Sequence, residues 1–98
     1  MIFPVSLATK PRRYWNWPGF ICWEGERAVR LGEALRSVRP AARCLLAVGP
    51  EGGFSRDEVE AAGRHGTRSV TLGVRVLRSE TAAIAALAIA FSELEGAS

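Results

Sequence analysis

Apolar positions in this chain fall in short blocks separated by glycine- and proline-marked turns. Phe20 to Trp23 is such a block and predicts a short strand. Glu24 to Val38 follows with Ala28, Leu31, Ala34, Leu35 and Val38 on one helix face, and Arg39 and Pro40 end that predicted helix. Cys44 to Val48 is apolar without alternation, which predicts a strand covered on both faces. Ser55 and Glu58 carry the spacing of a capping box, opening a helix that stops at Gly66. Val70 to Leu72 predicts a further brief strand, closed by Gly73. A last helix starts at Ser79 or Glu80 and runs to about Leu94; it is apolar almost all round, which predicts burial on most sides, within the domain or against a second subunit. Three strands alternating with helices predict an α/β fold on a parallel sheet.

Residues 1–19 do not fit this rhythm. Pro4, Pro11 and Pro18, with Tyr14, Trp15 and Trp17 beside Arg12 and Arg13, argue against a regular interior element and predict an arm packed over a core. Aromatic rings beside arginines also suit stacking on nucleic-acid bases. Ninety-eight residues fit one domain. The longest apolar run, Ala82 to Phe91, is too short to cross a bilayer, and the N-terminus lacks a secretory pattern, so a cytoplasmic setting is the expectation. Cys22 and Cys44 have no metal-ligand spacing and are expected as buried free thiols. The formal charge is +3, with eight Lys or Arg against three Glu up to Pro50 and five Arg against seven acids beyond it. That imbalance permits a polyanionic partner, although scattered arginines are more often a solvated face.

Candidate chemistry concentrates in two loops. Gly49-Pro50-Glu51-Gly52-Gly53 lies between a strand and a capped helix, where glycines allow close backbone approach to a ligand's polar edge. It matches neither the Walker A pattern nor the dinucleotide fingerprint, and Glu51 argues against phosphate there. A tight turn with no ligand is the competing reading. In Leu72-Gly73-Val74-Arg75-Val76-Leu77-Arg78-Ser79-Glu80-Thr81, two arginines offer rigid donor forks for phosphate or carboxylate. Arg78 paired with Glu80 or Glu51 as pure structure is the alternative, and Thr81 reads equally well as a first-turn residue. His65, beside Gly66, is expected to cap a helix rather than catalyse.

Together, GPEGGFSRDEVE and LGVRVLRSETAAIAAL closely resemble the end of the ribosomal RNA small-subunit methyltransferase E family, of the SPOUT class. The likeness runs from about Phe20 to Leu94 and is sharpest from Leu46 to Leu87. It implies an α/β domain with a C-terminal trefoil knot, a homodimer, and transfer of a methyl group from S-adenosylmethionine to a uridine N3 in 16S ribosomal RNA, with no metal and no membrane involved. It further implies that Val48, Gly49, Pro50, Glu51, Gly52 and Gly53 line one side of the cofactor. Leu72, Gly73, Val76, Leu77 and Arg78 would wrap it largely through backbone contacts, while Thr81 and the last helix complete the knot and much of the dimer interface. Arg78 first, Arg75 second and Glu51 third are the expected catalytic residues: an arginine to stabilise the developing uridine anion or hold an RNA phosphate, the glutamate to orient an arginine or act on the uridine.

Members of that family carry an N-terminal barrel and a longer α/β domain, with no counterpart visible here. The expectation is a chain truncated at its N-terminus, with residues 1–19 an arm and 20–98 a partial SPOUT domain. Two other readings stand beside the enzyme: a remnant that binds cofactor or RNA without catalysis, and a structural protein dimerising through the Ala82–Phe91 helix.

Overall fold

The structure is a computed structural model and describes residues 2–6, 17–38, 43–49, 53–73 and 78–96. Four strands form one mixed sheet in the order β1-β3-β2-β4, with β1 Ile2–Ser6, β2 Gly19–Cys22, β3 Arg43–Val48 and β4 Thr67–Val70. Helices α1 (Leu31–Ser37), α2 (Arg56–Arg64) and α3 (Ser79–Gly96) complete the chain order. β2 runs parallel to both β3 and β4, while β1 is antiparallel to β3. The wholly parallel sheet of the sequence reading is therefore corrected: a fourth strand occupies the edge. Ile2–Ser6 alternates, with Phe3 and Val5 turned to the core and Ile2 and Pro4 exposed. Pro4, which weakens the strand signal, is tolerated on an edge strand where a missing N–H costs no ladder bond.

From β2 the chain moves to β3 on one side and then returns past β2 to β4 on the other. Crossovers in opposite directions put α1 and α2 on opposite faces of the sheet when both take the usual right hand. α3 packs against α1, β1 and β3, so the main core lies between this helix pair and the sheet. Phe20, Leu46, Cys44, Val5 and Val70 supply the sheet side; Leu31, Ala34 and Leu35 come from α1, and Ala83, Ala86, Ala90 and Leu94 from α3. The alanine row lets α3 approach the sheet closely. Val59 of α2 and Ile21 of β2 are buried outside that cluster.

Three further boundaries differ from expectation. β3 does alternate in burial, Cys44, Leu46 and Val48 being sealed while Leu45 and Ala47 are half-buried, because the helices cover one face more completely than the other. Only Leu31–Ser37 of the long predicted helix is helical, since the Glu26 carboxylate accepts from the Ala28 and Val29 N–H groups and holds the backbone away from the helical ladder. Arg30 then bridges Thr71 in extended conformation before the helix starts. Arg39 and Pro40 lie outside the described residues. The brief strand expected at Val70–Leu72 sits earlier, at Thr67–Val70, where its register with Gly19–Cys22 fixes it.

α2 starts as expected, with both capping-box bonds present between Ser55 and Glu58. It ends at the His65 cap, exposed, followed by Gly66 at φ +86°. α3 is less enclosed than its composition suggests: Ile84 is 70% and Phe91 40% exposed, because the alanine face takes the packing and leaves these two on the far side. Among the described residues no helix is long and apolar enough to cross a membrane.

Candidate functional site

The parallel strands end level with one another. Cys22 stands opposite Val48 in β3 on one side and Val70 in β4 on the other. The segments starting at Gly49, Trp23 and Thr71 therefore leave the sheet side by side, at its C-terminal edge. Two strand spacings, roughly 10 Å, separate the exit from β3 from the exit from β4. Ligand crevices of open α/β sheets lie at this edge, where neighbouring strands send their connections to opposite faces.

Gly49 and Gly53 close the first loop on itself. A Cβ at Gly49 would come within 3.0 Å of the Gly53 Cα and 3.3 Å of the Phe54 ring, so a side chain there would force the two ends of the loop apart. Gly53 adopts φ +72° and faces open space. In the second loop Gly73 adopts φ +139°, again with open space at its Cβ position. The Thr71 hydroxyl braces this turn, donating to the Gly73 carbonyl (2.9 Å) and accepting from the Gly73 N–H (3.2 Å). Thr71 is itself held by backbone bonds to Val29 and Leu31.

Val48, Gly49, Gly53, Leu72, Gly73, Arg78 and Thr81 thus lie on or beside the two loops. Val48 is buried, Leu72 half-buried, and Arg78 and Thr81 exposed. The Arg78 carbonyl accepts the Ala82 N–H (2.7 Å) and so closes the first turn of α3. Among the described residues no ion pair joins Arg78 to Glu80; the alternative partner, Glu51, lies outside them. Pro50, Glu51, Gly52, Arg75, Val76 and Leu77 lie outside the described residues.

Three residues that the sequence pattern did not single out hold this edge together. Trp23, immediately after β2, donates its backbone N–H to the Val70 carbonyl (3.0 Å) and its indole Nε1–H to the Phe54 carbonyl (3.1 Å). Glu26 reaches β4 by accepting the Ser69 hydroxyl, while Thr71 braces Gly73. The available signal was position alone: a tryptophan and a glutamate shortly after β2 and a threonine directly after β4, at the edge where open α/β sheets place ligands.

The Ser69 hydroxyl bond, followed by the backbone N–H bonds, holds the Glu26 carboxyl below its ordinary pKa. A lowered folded value means that the stabilisation is complete above the unfolded carboxylate range and disappears as pH falls through the folded value. Melting temperature followed from pH 7 to pH 3 is therefore expected to separate wild type from Glu26→Gln near neutrality and to bring the two together in acid. Parallel curves would refute the assignment. Burial pushes both thiols, half-buried Cys22 and buried Cys44, up to about 11, with Cys22 adding to the rise at Cys44, so neither is a nucleophile near neutral pH.

Several arginines are already engaged within the chain. Arg36 pairs with Glu93, Arg68 donates to the Ser37 hydroxyl, and Arg43 and Arg56 lie 5.3 and 5.4 Å over the rings of Trp17 and Trp23. Trp17 is buried, which takes it out of base stacking and makes it part of the packed interior. Tyr14 and Trp15 lie outside the described residues. Among the described residues no cluster of three or more His, Cys, Asp or Glu could hold a metal ion.

An RNA methyltransferase domain family matches residues 16–91. Similar proteins include the ribosomal RNA small subunit methyltransferase E of Mesomycoplasma hyopneumoniae (strain 232), 55% identical over 40 residues, or 41% of this chain and 18% of that protein. The protein of the same name from Rickettsia conorii (strain ATCC VR-613 / Malish 7) is 54% identical over 44 residues, 44% of this chain and 18% of the relative. That from Synechocystis sp. (strain ATCC 27184 / PCC 6803 / Kazusa) is 43% identical over 58 residues, 59% and 19% respectively. The matched segments thus span under a fifth of these relatives' lengths.

Proposed function

Because this chain belongs to the RNA methyltransferase domain family, we propose that its C-terminal sheet edge binds S-adenosylmethionine and serves methylation of a uridine N3 in 16S ribosomal RNA, in the cytoplasm. The observation that carries the reading is the level register of Cys22 with Val48 and Val70, which brings both glycine loops to one edge. With no described atom within 4 Å of a Cβ at Gly53 or Gly73, and with Gly49, Gly53, Leu72 and Gly73 all half-buried, the loop ends fit a ligand with a flat apolar part and several polar edges.

In this reading Gly49, Gly53, Leu72 and Gly73, with Pro50, Glu51, Gly52, Val76 and Leu77, hold the cofactor mainly through main-chain groups. When bound, the cofactor supplies an activated methyl group on a sulfonium. This chain's task is then alignment and charge control: uridine N3 must lose its proton, and the resulting anion needs a cation nearby. Arg78, exposed at the start of α3, fills that role, with Arg75 assisting; Glu51 orients one of the arginines. Thr81 belongs to the rim. The proposed topology is the trefoil knot of the SPOUT class, and the proposed assembly is a homodimer through the exposed Ile84 and Phe91 side of α3.

Calorimetric titration of the purified chain with S-adenosylmethionine, paired with methyl transfer to 16S ribosomal RNA, tests the reading. Wild type is expected to bind saturably, and Arg78→Ala to lose roughly a hundredfold in transfer rate through the missing charge. A folded wild-type chain that releases no binding heat would sink the cofactor site. A second reading is binding without transfer. Saturable binding with no transfer would select it.

A further inference from the structure

We propose that Trp23 is a positioning residue that sets the spacing between the two ligand loops without itself touching the ligand. The inference rests on the cofactor reading above. Trp23 leaves β2 between the β3 and β4 exits and is bonded to both sides: backbone N–H to Val70, indole N–H to Phe54. Phe54 follows Gly53, and its ring lies against Gly49, so the indole bond pins the base of the first loop. Val70 precedes Thr71, the residue that braces Gly73, so the backbone bond pins the base of the second.

The ring has little freedom to answer a moving loop. A Cβ at Gly25 would lie 2.4 Å from it, so the Gly25 backbone rests directly against the indole, and the Trp23 carbonyl accepts the Glu26 N–H (3.1 Å) to close that turn. The Arg56 guanidinium lies over the ring from the opening turn of α2. α2 also starts from the first loop, through the Ser55 cap, so both ends of the Phe54–Arg56 segment are referred to one indole. A half-buried tryptophan used only as core filling needs none of these directed contacts.

Two substitutions test the inference by different physics. Trp23→Phe keeps an aromatic ring and deletes the N–H; Gly25→Ala keeps the indole and pushes it off the Phe54 carbonyl. Each is expected to weaken S-adenosylmethionine binding roughly five- to tenfold, the scale of one lost hydrogen bond, with the far-ultraviolet circular dichroism of wild type retained. In 5-fluorotryptophan-labelled protein, three tryptophans give three resonances, and the one missing from Trp23→Phe is assigned to Trp23. That resonance is expected to shift on adding S-adenosylmethionine to wild type, and to be displaced before any addition in Gly25→Ala. Should Trp23→Phe fail to fold, Gly25→Ala carries the test. Wild-type binding with unchanged affinity in the folded variants, or a Trp23 resonance indifferent to the ligand, overturns the positioning role and leaves the cofactor reading standing. Failure of wild type to bind overturns both.

Discussion

Gly73→Val is expected to reduce S-adenosylmethionine binding by well over tenfold while leaving the sheet and helices intact. At φ +139° the Gly73 backbone occupies a region open to glycine and strained for any side chain. Holding a β-branched residue there costs about 1–3 kcal/mol, and the chain's cheapest response is to rotate the turn. Rotation breaks both bonds to the Thr71 hydroxyl, which face the Gly73 N–H and carbonyl from one atom. Among the described residues nothing lies within 4 Å of the added Cβ, so no clash spreads into the described core. The lesion stays local. Calorimetry beside circular dichroism reads the two effects separately: unchanged affinity in a folded Gly73→Val chain would remove the 72–73 turn from the proposed site.

The double variant Ile84→Glu/Phe91→Glu is expected to convert the proposed homodimer to monomer, raising its dissociation constant at least ~100-fold. Both positions are exposed in the single chain, at 70% and 40%, so a charge there costs the monomer little. In a two-fold interface each substitution occurs twice on the same patch, and four carboxylates would be drawn toward one another as they lost water. Sedimentation velocity over a concentration series measures the shift. If wild type sediments as a monomer throughout, or the variant dimerises as tightly, α3 is not the interface. The alanine row at 83, 86 and 90 faces the chain's own core, so these two substitutions leave the fold's packing untouched.

Much of the scaffold is legible before folding is considered. The α2 start needs only Ser55 and Glu58, because a capping box is a contact between residues three apart. α3 starts where the polar Ser79-Glu80-Thr81 turn precedes an alanine-rich stretch of high helical propensity, and the structure begins it at Ser79. β3 was recognisable from five consecutive apolar residues, and the structure adds Arg43 in front of them. Each signal is local in sequence. Where local signals mislead, a distant partner has intervened: Ala28 fits the helical stripe, yet Glu26 and Thr71 hold that segment in a bridge to β4, and the helix waits for Leu31. Pro4 hides a real strand because only the edge position, set by pairing with β3, makes a proline harmless there.

The site divides along the same line. The residue types of both loops, with their glycines and arginines, are properties of the sequence, and so is the family likeness they carry. That the loops meet at one sheet edge is not: Gly49 and Gly73 are twenty-four positions apart, and only the pairing of Cys22 with both Val48 and Val70 brings their strands level. Trp23 shows the difference most sharply. In the sequence it is the last apolar residue of a short block; in the fold its two N–H groups point at carbonyls thirty-one and forty-seven positions away. Hydrogen bonds of that separation are created by sheet order and register. Local propensity chose the elements of this protein, and tertiary packing decided which of their ends share one sheet edge.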